Sequence, residues 1–282
     1  MTQVNNLLMA MAIRPYRNRY YPFELGPNEI KGSDGKIISI REDIQVPTSR
    51  GLKMECSFFP INNGKKNPCI IFLHGNGGNR KENVNDAELF LELGIQSCCY
   101  DFIGCGISEG ETISFGYHES RDLEDLMNYL NSHYQINKFL IHGLSMGGAT
   151  TLMCCSFTKN NICGIIIDSC FSDISVLIQG YTNLPLEEVD KILEILNVKI
   201  LEKYKFPIKD LKPIKDVPQI KIPALFIYAE YEKQSYNIQF QKLFTEYGCP
   251  KEIMSFQGGH NSIRPKSVYD KIFEFCKKYA LS

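Results

Sequence analysis

A five-residue string, Gly143-Leu144-Ser145-Met146-Gly147, separates the apolar run Phe139-Leu-Ile-His142 from the helix-like stretch Gly148-Ala-Thr-Thr-Leu-Met-Cys-Cys155. An apolar strand that feeds a helix through so short a link must turn sharply, with the serine at the tip. Small residues at both ends of the link let the chain double back, and the serine between them takes a strained backbone conformation. The string therefore commits this part of the chain to a strand-turn-helix unit. It also turns the Ser145 hydroxyl out of the sheet, where it can attack a carbonyl. The Met146 amide, at the helix N-terminus, is placed to stabilise the oxyanion that forms.

The rest of the sequence supplies layers for such a unit. Short continuous apolar runs at 69–73, 97–100, 138–141, 164–167 and 224–228 read as parallel strands covered on both faces. Helical segments at about 81–93, 119–133, 146–158, 236–247 and 266–279 alternate with them. That alternation predicts an α/β protein with a mostly parallel central sheet and helices on both faces. Two earlier runs, 37–46 and 54–59, alternate in part and predict antiparallel edge strands joined by the turn at Ser49-Arg50-Gly51.

We expect an N-terminal extension over 1–36 and a single domain over 37–282, with a small helical cap insertion over about 171–222. Inside the insertion, Pro185 precedes the helical stretch 186–196, and Pro207, Pro213, Pro218 and Pro223 punctuate the remainder. A crossover helix with a long surface loop fits the same residues. Leu177, Ile178, Tyr181 and Leu184 suit either an acyl chain or plain core contacts.

The 31 basic side chains nearly cancel the 32 acidic ones, leaving a formal net charge of −1. Such a balance offers no field for nucleic acid. The 11 cysteines include two adjacent pairs, Cys98-Cys99 and Cys154-Cys155, and no CxxC spacing. They read as packed thiols of a reducing compartment, the cytoplasm. Residues 1–21 mix Leu7, Leu8, Met9, Met11 and Ile13 with Arg14, Arg17 and Arg19, a composition suited to a membrane surface. Pro15 interrupts a helix there, so an extension packed on the body is the plainer reading.

A serine hydroxyl needs a base before it is a useful nucleophile. His260 lies in Gly258-Gly259-His260-Asn261-Ser262, directly after the apolar run 252–256 and before the last helix. A histidine held by glycines at a strand end is a candidate general base. His74 and His142 only adjoin the two turn motifs, while His118 and His133 fall on a helix and its approach.

The orienting acid is expected after the run 224–228, in Ala229-Glu230-Tyr231-Glu232-Lys233-Gln234. Glu232 is the first choice. A shift of one or two residues in the strand end would exchange it for Glu230, and Asp168, at the end of the preceding strand, is a third candidate. A surface glutamate without a role also fits these positions. Either acid type can fix the imidazole tautomer and stabilise imidazolium. The second oxyanion donor is expected in Leu73-His74-Gly75-Asn76-Gly77-Gly78-Asn79-Arg80, from the amide of Asn76. A glycine-rich loop can also cradle phosphate, but this one lacks the Gly-Lys-Ser/Thr of a nucleotide loop.

Four motifs in this order, His74-Gly-Asn-Gly-Gly78, Asp101-Phe-Ile-Gly-Cys-Gly-Ile-Ser-Glu-Gly110, Gly143-Leu-Ser-Met-Gly-Gly148 and Gly259-His260, resemble the α/β-hydrolase superfamily. The likeness spans about residues 40–280 and is nearest to its serine-aminopeptidase-like and esterase or lipase-like serine hydrolases. It implies the α/β-hydrolase fold, Ser145 as nucleophile, His260 as base, Glu232 as acid, and the amides of Asn76 and Met146 as the oxyanion hole. In such proteins the Asp101 motif shapes a loop. Where relatives commonly carry Gly-x-x-Asp, this chain has Ala229-Glu-Tyr-Glu232.

The function expected is hydrolysis of an ester or thioester, less readily an amide, in a small-molecule or lipid-like acyl substrate. That chemistry needs no metal or organic cofactor. A non-catalytic binding or signalling protein with an impaired triad is the alternative.

Overall fold

The computed structural model describes residues 13, 14 and 16–281. The described strands are β1 (Glu29–Lys31), β2 (Ile37–Ile40), β3 (Glu42–Pro47), β4 (Lys53–Phe59), β5 (Cys69–Leu73), β6 (Gln96–Tyr100), β7 (Phe139–Leu144), β8 (Ile162–Asp168), β9 (Ala224–Ala229) and β10 (Lys251–Phe256). The helices are α1 (Lys81–Leu91) between β5 and β6, α2 (Glu119–Tyr134) before β7, α3 (Met146–Cys155) after it, and α4 (Ile174–Thr182) with α5 (Leu186–Tyr204) after β8. α6 (Gln234–Glu246) follows β9 and α7 (Lys266–Ala280) ends the chain.

β3 to β10 form one sheet in the order β3-β4-β6-β5-β7-β8-β9-β10. β4 runs antiparallel to both neighbours, and every pairing from β6 onward is parallel. The continuous apolar runs are the cause: β5 is buried at all of its positions, so it must be covered on both faces. Its side chains alternate between two cores. Ile71 and Leu73 join Ile141, Ile165 and Phe226 beneath α2, α3 and α6, while Ile70 and Phe72 join Leu140, Ile166 and Leu225 beneath α1 and α7. The parallel strands all point the same way, and their carboxyl ends, where ligands collect in such sheets, carry the motifs above.

The run 37–46, expected as one strand, is two. It breaks at Arg41, whose buried guanidinium donates to the carbonyls of Leu25 (2.6 Å), Pro27 (3.2 Å) and Gly26 (3.3 Å), while its amide donates to Asn28 O (2.8 Å). β2 consequently pairs with β1 in a separate hairpin, and β3 enters the main sheet. A boundary drawn at residue 36 falls inside that hairpin.

Residues 1–12 and 15, and with them most of the stretch read as suited to a membrane surface, lie outside the described residues. Ile13 is buried, and its carbonyl accepts from the Ile113 amide at 2.8 Å. The Arg17 guanidinium donates to the carbonyls of Gly106 (2.8 Å), Gly110 (2.7 Å), Cys105 (3.3 Å) and Ser108. Among the described residues no helix is long and apolar enough to cross a membrane.

Between β8 and β9 the chain forms α4, α5 and three short 3-10 turns, Ile208–Asp210, Pro213–Lys215 and Val217–Gln219, rather than a long loop. α4 starts at Asp173, whose carboxylate accepts the Ser175 amide at 2.9 Å, an N-cap that satisfies one otherwise unbonded donor. Leu177 is buried, and Ile178 and Leu184 pack against the core; the Tyr181 side chain lies outside the described residues.

Candidate active site

Ser145 stands between β7 and α3 with φ 53° and ψ −111°. L-residues rarely adopt this conformation, which stores on the order of 1–3 kcal/mol and persists only where the surroundings impose it. They do so here. The Ser145 amide donates to Asp168 O at 2.8 Å, and the Ser145 carbonyl accepts from the Ala149 amide at 3.1 Å. A methyl group on Gly143 would strike the carbonyl of Gly147, and one on Gly147 would strike the carbonyl of Leu73, so both positions exclude a side chain. The Ser145 hydroxyl makes no capping bond to its own helix. The Met146 amide begins that helix and is one of its orphan donors.

The loops after β9 and β10 are stitched together: the Glu230 amide donates to Phe256 O (3.0 Å) and the Tyr231 amide to Gly258 O (2.9 Å). Next to this seam His260 Nδ1 stands 3.1 Å from Glu232 Oε1, whose side chain is 6% exposed. The separation is within hydrogen-bonding range, although Oε1 forms no hydrogen bond in this arrangement. With Nδ1 turned to Glu232, Nε2 is the ring nitrogen left for a hydroxyl. Among the described residues no hydrogen bond joins Ser145 to His260.

The other two carboxylates are engaged elsewhere. Glu230 accepts from the Ser255 hydroxyl at 2.7 Å. Asp168 is buried and accepts Arg264 Nε at 2.8 Å and Nη2 at 2.7 Å. The structure thus brings Glu232, and neither Glu230 nor Asp168, to the His260 imidazole.

Gly75 packs on the turn at Ser145, so close that a methyl group there would lie 3.7 Å from Ser145 Cβ. Asn76 follows it, exposed, and its amide donates to no described backbone group. His74 braces this loop: Nε2 accepts the Phe102 amide at 3.1 Å, and Nδ1 lies 2.7 Å from Gly75 O. Burial pushes its pKa down, so the neutral tautomer with Nδ1–H satisfies both contacts. Asp101 shapes the neighbouring loop by accepting from the amides of Arg80 (2.6 Å) and Ile107 (2.9 Å) and the hydroxyl of Tyr20 (2.8 Å). His118 contacts Tyr204 O at 2.9 Å and His133 contacts Tyr129 O at 3.0 Å. His142 lies within β7 with neither ring nitrogen hydrogen-bonded, and burial lowers its pKa to about 4.

A cleft of about 330 Å³ opens at Glu232 and His260, lined also by Gly180, Tyr231, Lys233, Tyr236 and Asn261. α4 is tied to it from the insertion: Lys233 Nζ donates to Gly180 O (2.5 Å) and Asn183 Oδ1 (3.0 Å), and Tyr236 OH donates to Leu177 O (3.1 Å). A larger cavity of about 610 Å³ shares Asn261 but contains none of Ser145, Glu232 and His260. The smaller cleft is the one at the Glu232–His260 contact. Gly180, Lys233, Tyr236 and Arg264 were not read from the sequence. Only Gly180 carried a local signal, as a glycine inside a helical stretch.

A family model described as the alpha/beta hydrolase fold matches residues 68–194. The chain is 24% identical over 200 residues to the uncharacterised protein YqkD of Bacillus subtilis (strain 168), taking in 69% of this chain and 65% of that one. It therefore spans slightly less than two thirds of that relative. The esterase Pf2001 of Pyrococcus furiosus superposes with a TM-score of 0.71 at 19% identity, covering 95% of this chain and 99% of the esterase. An acylaminoacyl peptidase of Pyrococcus horikoshii gives a TM-score of 0.66 at 17% identity over 88% of this chain and 43% of the peptidase. The strand order, the turn at Ser145 and these matches agree, and the chain has the α/β-hydrolase fold.

Proposed function

We infer that this protein is a serine hydrolase that opens an ester or thioester, less readily an amide, through an acyl-enzyme on Ser145. The observation that carries the reading is Ser145 held at φ 53°, ψ −111° at the carboxyl end of the parallel strands, the same end that carries the Glu232–His260 contact of 3.1 Å. In this reading His260 Nε2 takes the proton from Oγ as Oγ bonds to the acyl carbon. Glu232 stabilises the imidazolium through Nδ1, and the amides of Asn76 and Met146 donate to the oxyanion. The proton then goes to the departing alkoxide or thiolate. Water, deprotonated by His260, releases the acid and frees Ser145.

The two neighbours named above are an esterase and a peptidase, so the shared fold does not choose between ester and amide. The cleft is lined by tyrosines and polar groups, while Leu177, Ile178 and Leu184 of the insertion pack into the core. A small or lipid-like acyl substrate with a short acyl portion fits that lining best. The 11 free cysteines suit the cytoplasm.

Labelling with a fluorophosphonate probe tests the reading. The wild-type protein is expected to be modified at Ser145 and to hydrolyse short p-nitrophenyl esters, while Ser145→Ala does neither. Hydrolysis unchanged in Ser145→Ala would falsify the assignment. An unlabelled wild-type protein would decide for a non-catalytic binding or signalling protein instead.

A further inference from the structure

Asp168, at the end of β8, is used twice. Its backbone carbonyl accepts the Ser145 amide at 2.8 Å, and its carboxylate accepts two N–H groups of Arg264, at 2.8 and 2.7 Å. Nη1 of the same guanidinium donates to the carbonyls of His260 (3.0 Å) and Ser262 (2.6 Å). A buried ion pair, with side chains 2% and 11% exposed, thus runs from the backbone of Ser145 to the backbone of His260.

We propose that the Asp168–Arg264 pair is a positioning device that sets the place of His260 relative to Ser145. The inference rests on the serine-hydrolase reading and adds Arg264 to it as a positioning residue. The loop it holds is otherwise lightly fixed. His260 follows Gly258 and Gly259, and the loop's other bonds near the ring are Gly259 N–H to Ser262 Oγ (2.9 Å), Ser262 N–H to Gly259 O (3.0 Å) and Tyr231 N–H to Gly258 O (2.9 Å). A rigid guanidinium fork serves four acceptors at once, which a lysine ammonium at the end of a flexible stem cannot do with the same geometry. Proton transfer is sensitive to this placement, since a shift of about 1 Å costs on the order of a hundredfold in rate.

The test compares wild type, Arg264→Ala and Arg264→Lys in turnover of p-nitrophenyl acetate and in the rate of fluorophosphonate labelling, below each protein's Tm. The expected result is a fall in kcat and labelling of about tenfold to a hundredfold, with KM nearly unchanged, the lysine variant lying between. Guanidinium at non-denaturing concentration should restore part of the activity of Arg264→Ala and none of that of Ser145→Ala. Wild-type kcat and labelling in a folded variant overturn the proposal. A loss that only tracks the unfolded fraction, without guanidinium rescue, overturns it too, as does failure of both variants to fold, because the pair is then a stability element. The serine-hydrolase reading fails differently, with no labelling of the wild-type protein, and the positioning role falls with it.

Discussion

His260 Nδ1 lies 3.1 Å from Glu232 Oε1, whereas Glu230, two residues earlier in the same loop, spends its carboxylate on the hydroxyl of Ser255. Two substitutions of equal chemical size therefore have unequal consequences. Glu232→Gln should lower kcat on the order of 10²- to 10⁴-fold, by removing the charge that stabilises imidazolium. Glu230→Gln should leave kcat within about twofold, because a rim carboxylate contributes little. Steady-state kinetics on a p-nitrophenyl ester measures both, and the reverse order would reassign the acid.

The backbone at Ser145 gives a prediction about stability. Glycine tolerates φ 53°, ψ −111° without the clash that an L side chain meets, so Ser145→Gly relieves strain that Ser145→Ala retains. Both variants should be inactive, and the glycine variant should be the more stable by about 1 kcal/mol in urea unfolding. Equal stability would mean that the turn is not strained.

His142 predicts a pH dependence. Its pKa falls from 6.5 to about 4 because burial disfavours the charged ring, against the pull of Asp168. In the unfolded chain the ring takes up its proton near 6.5, so acidification between about 6.5 and 4 favours unfolding. The stability lost reaches about 3 kcal/mol by pH 4, and above the upper limit this group contributes no slope. The Tm of His142→Phe should fall less steeply than that of the wild type over that interval, and parallel curves would remove His142 as the cause.

Gly180 faces the ring of Tyr236, into which a methyl group would project. Gly180→Ala should push that ring into the cleft it lines, raising KM for a p-nitrophenyl ester several-fold while the labelling rate with a small phosphonate changes little. A variant with altered labelling and unchanged KM would place substrate elsewhere.

Much of the sheet was legible because its signals are local. Continuous apolar runs of five residues, such as Cys69–Leu73, can be buried on both faces only in a parallel sheet, and Gly143 and Gly147 bracket a turn that other residues cannot make. The break at Arg41 was not legible, because carbonyls of residues 25–27 cause it. Choosing among Glu230, Glu232 and Asp168 likewise needed partners distant in sequence: Ser255, His260 and Arg264. Arg264 had no signal of its own, four residues after a histidine and just before the proline that opens α7. Its significance lies in the acceptors it reaches, the farthest of which, Asp168, lies 96 positions earlier in the chain.

The anchoring of Ile13 and Arg17 bears on how the N-terminus can be studied. Four carbonyls of the loop ordered by Asp101 depend on one arginine, and the Ile113 amide depends on the carbonyl of Ile13. A truncation at residue 21, the natural design for testing membrane attachment, would strip a clasp from the globule and could be mistaken for loss of a lipid anchor. A shorter deletion that ends before Ile13, assayed by liposome co-sedimentation, leaves the clasp closed and reports on the first twelve residues alone.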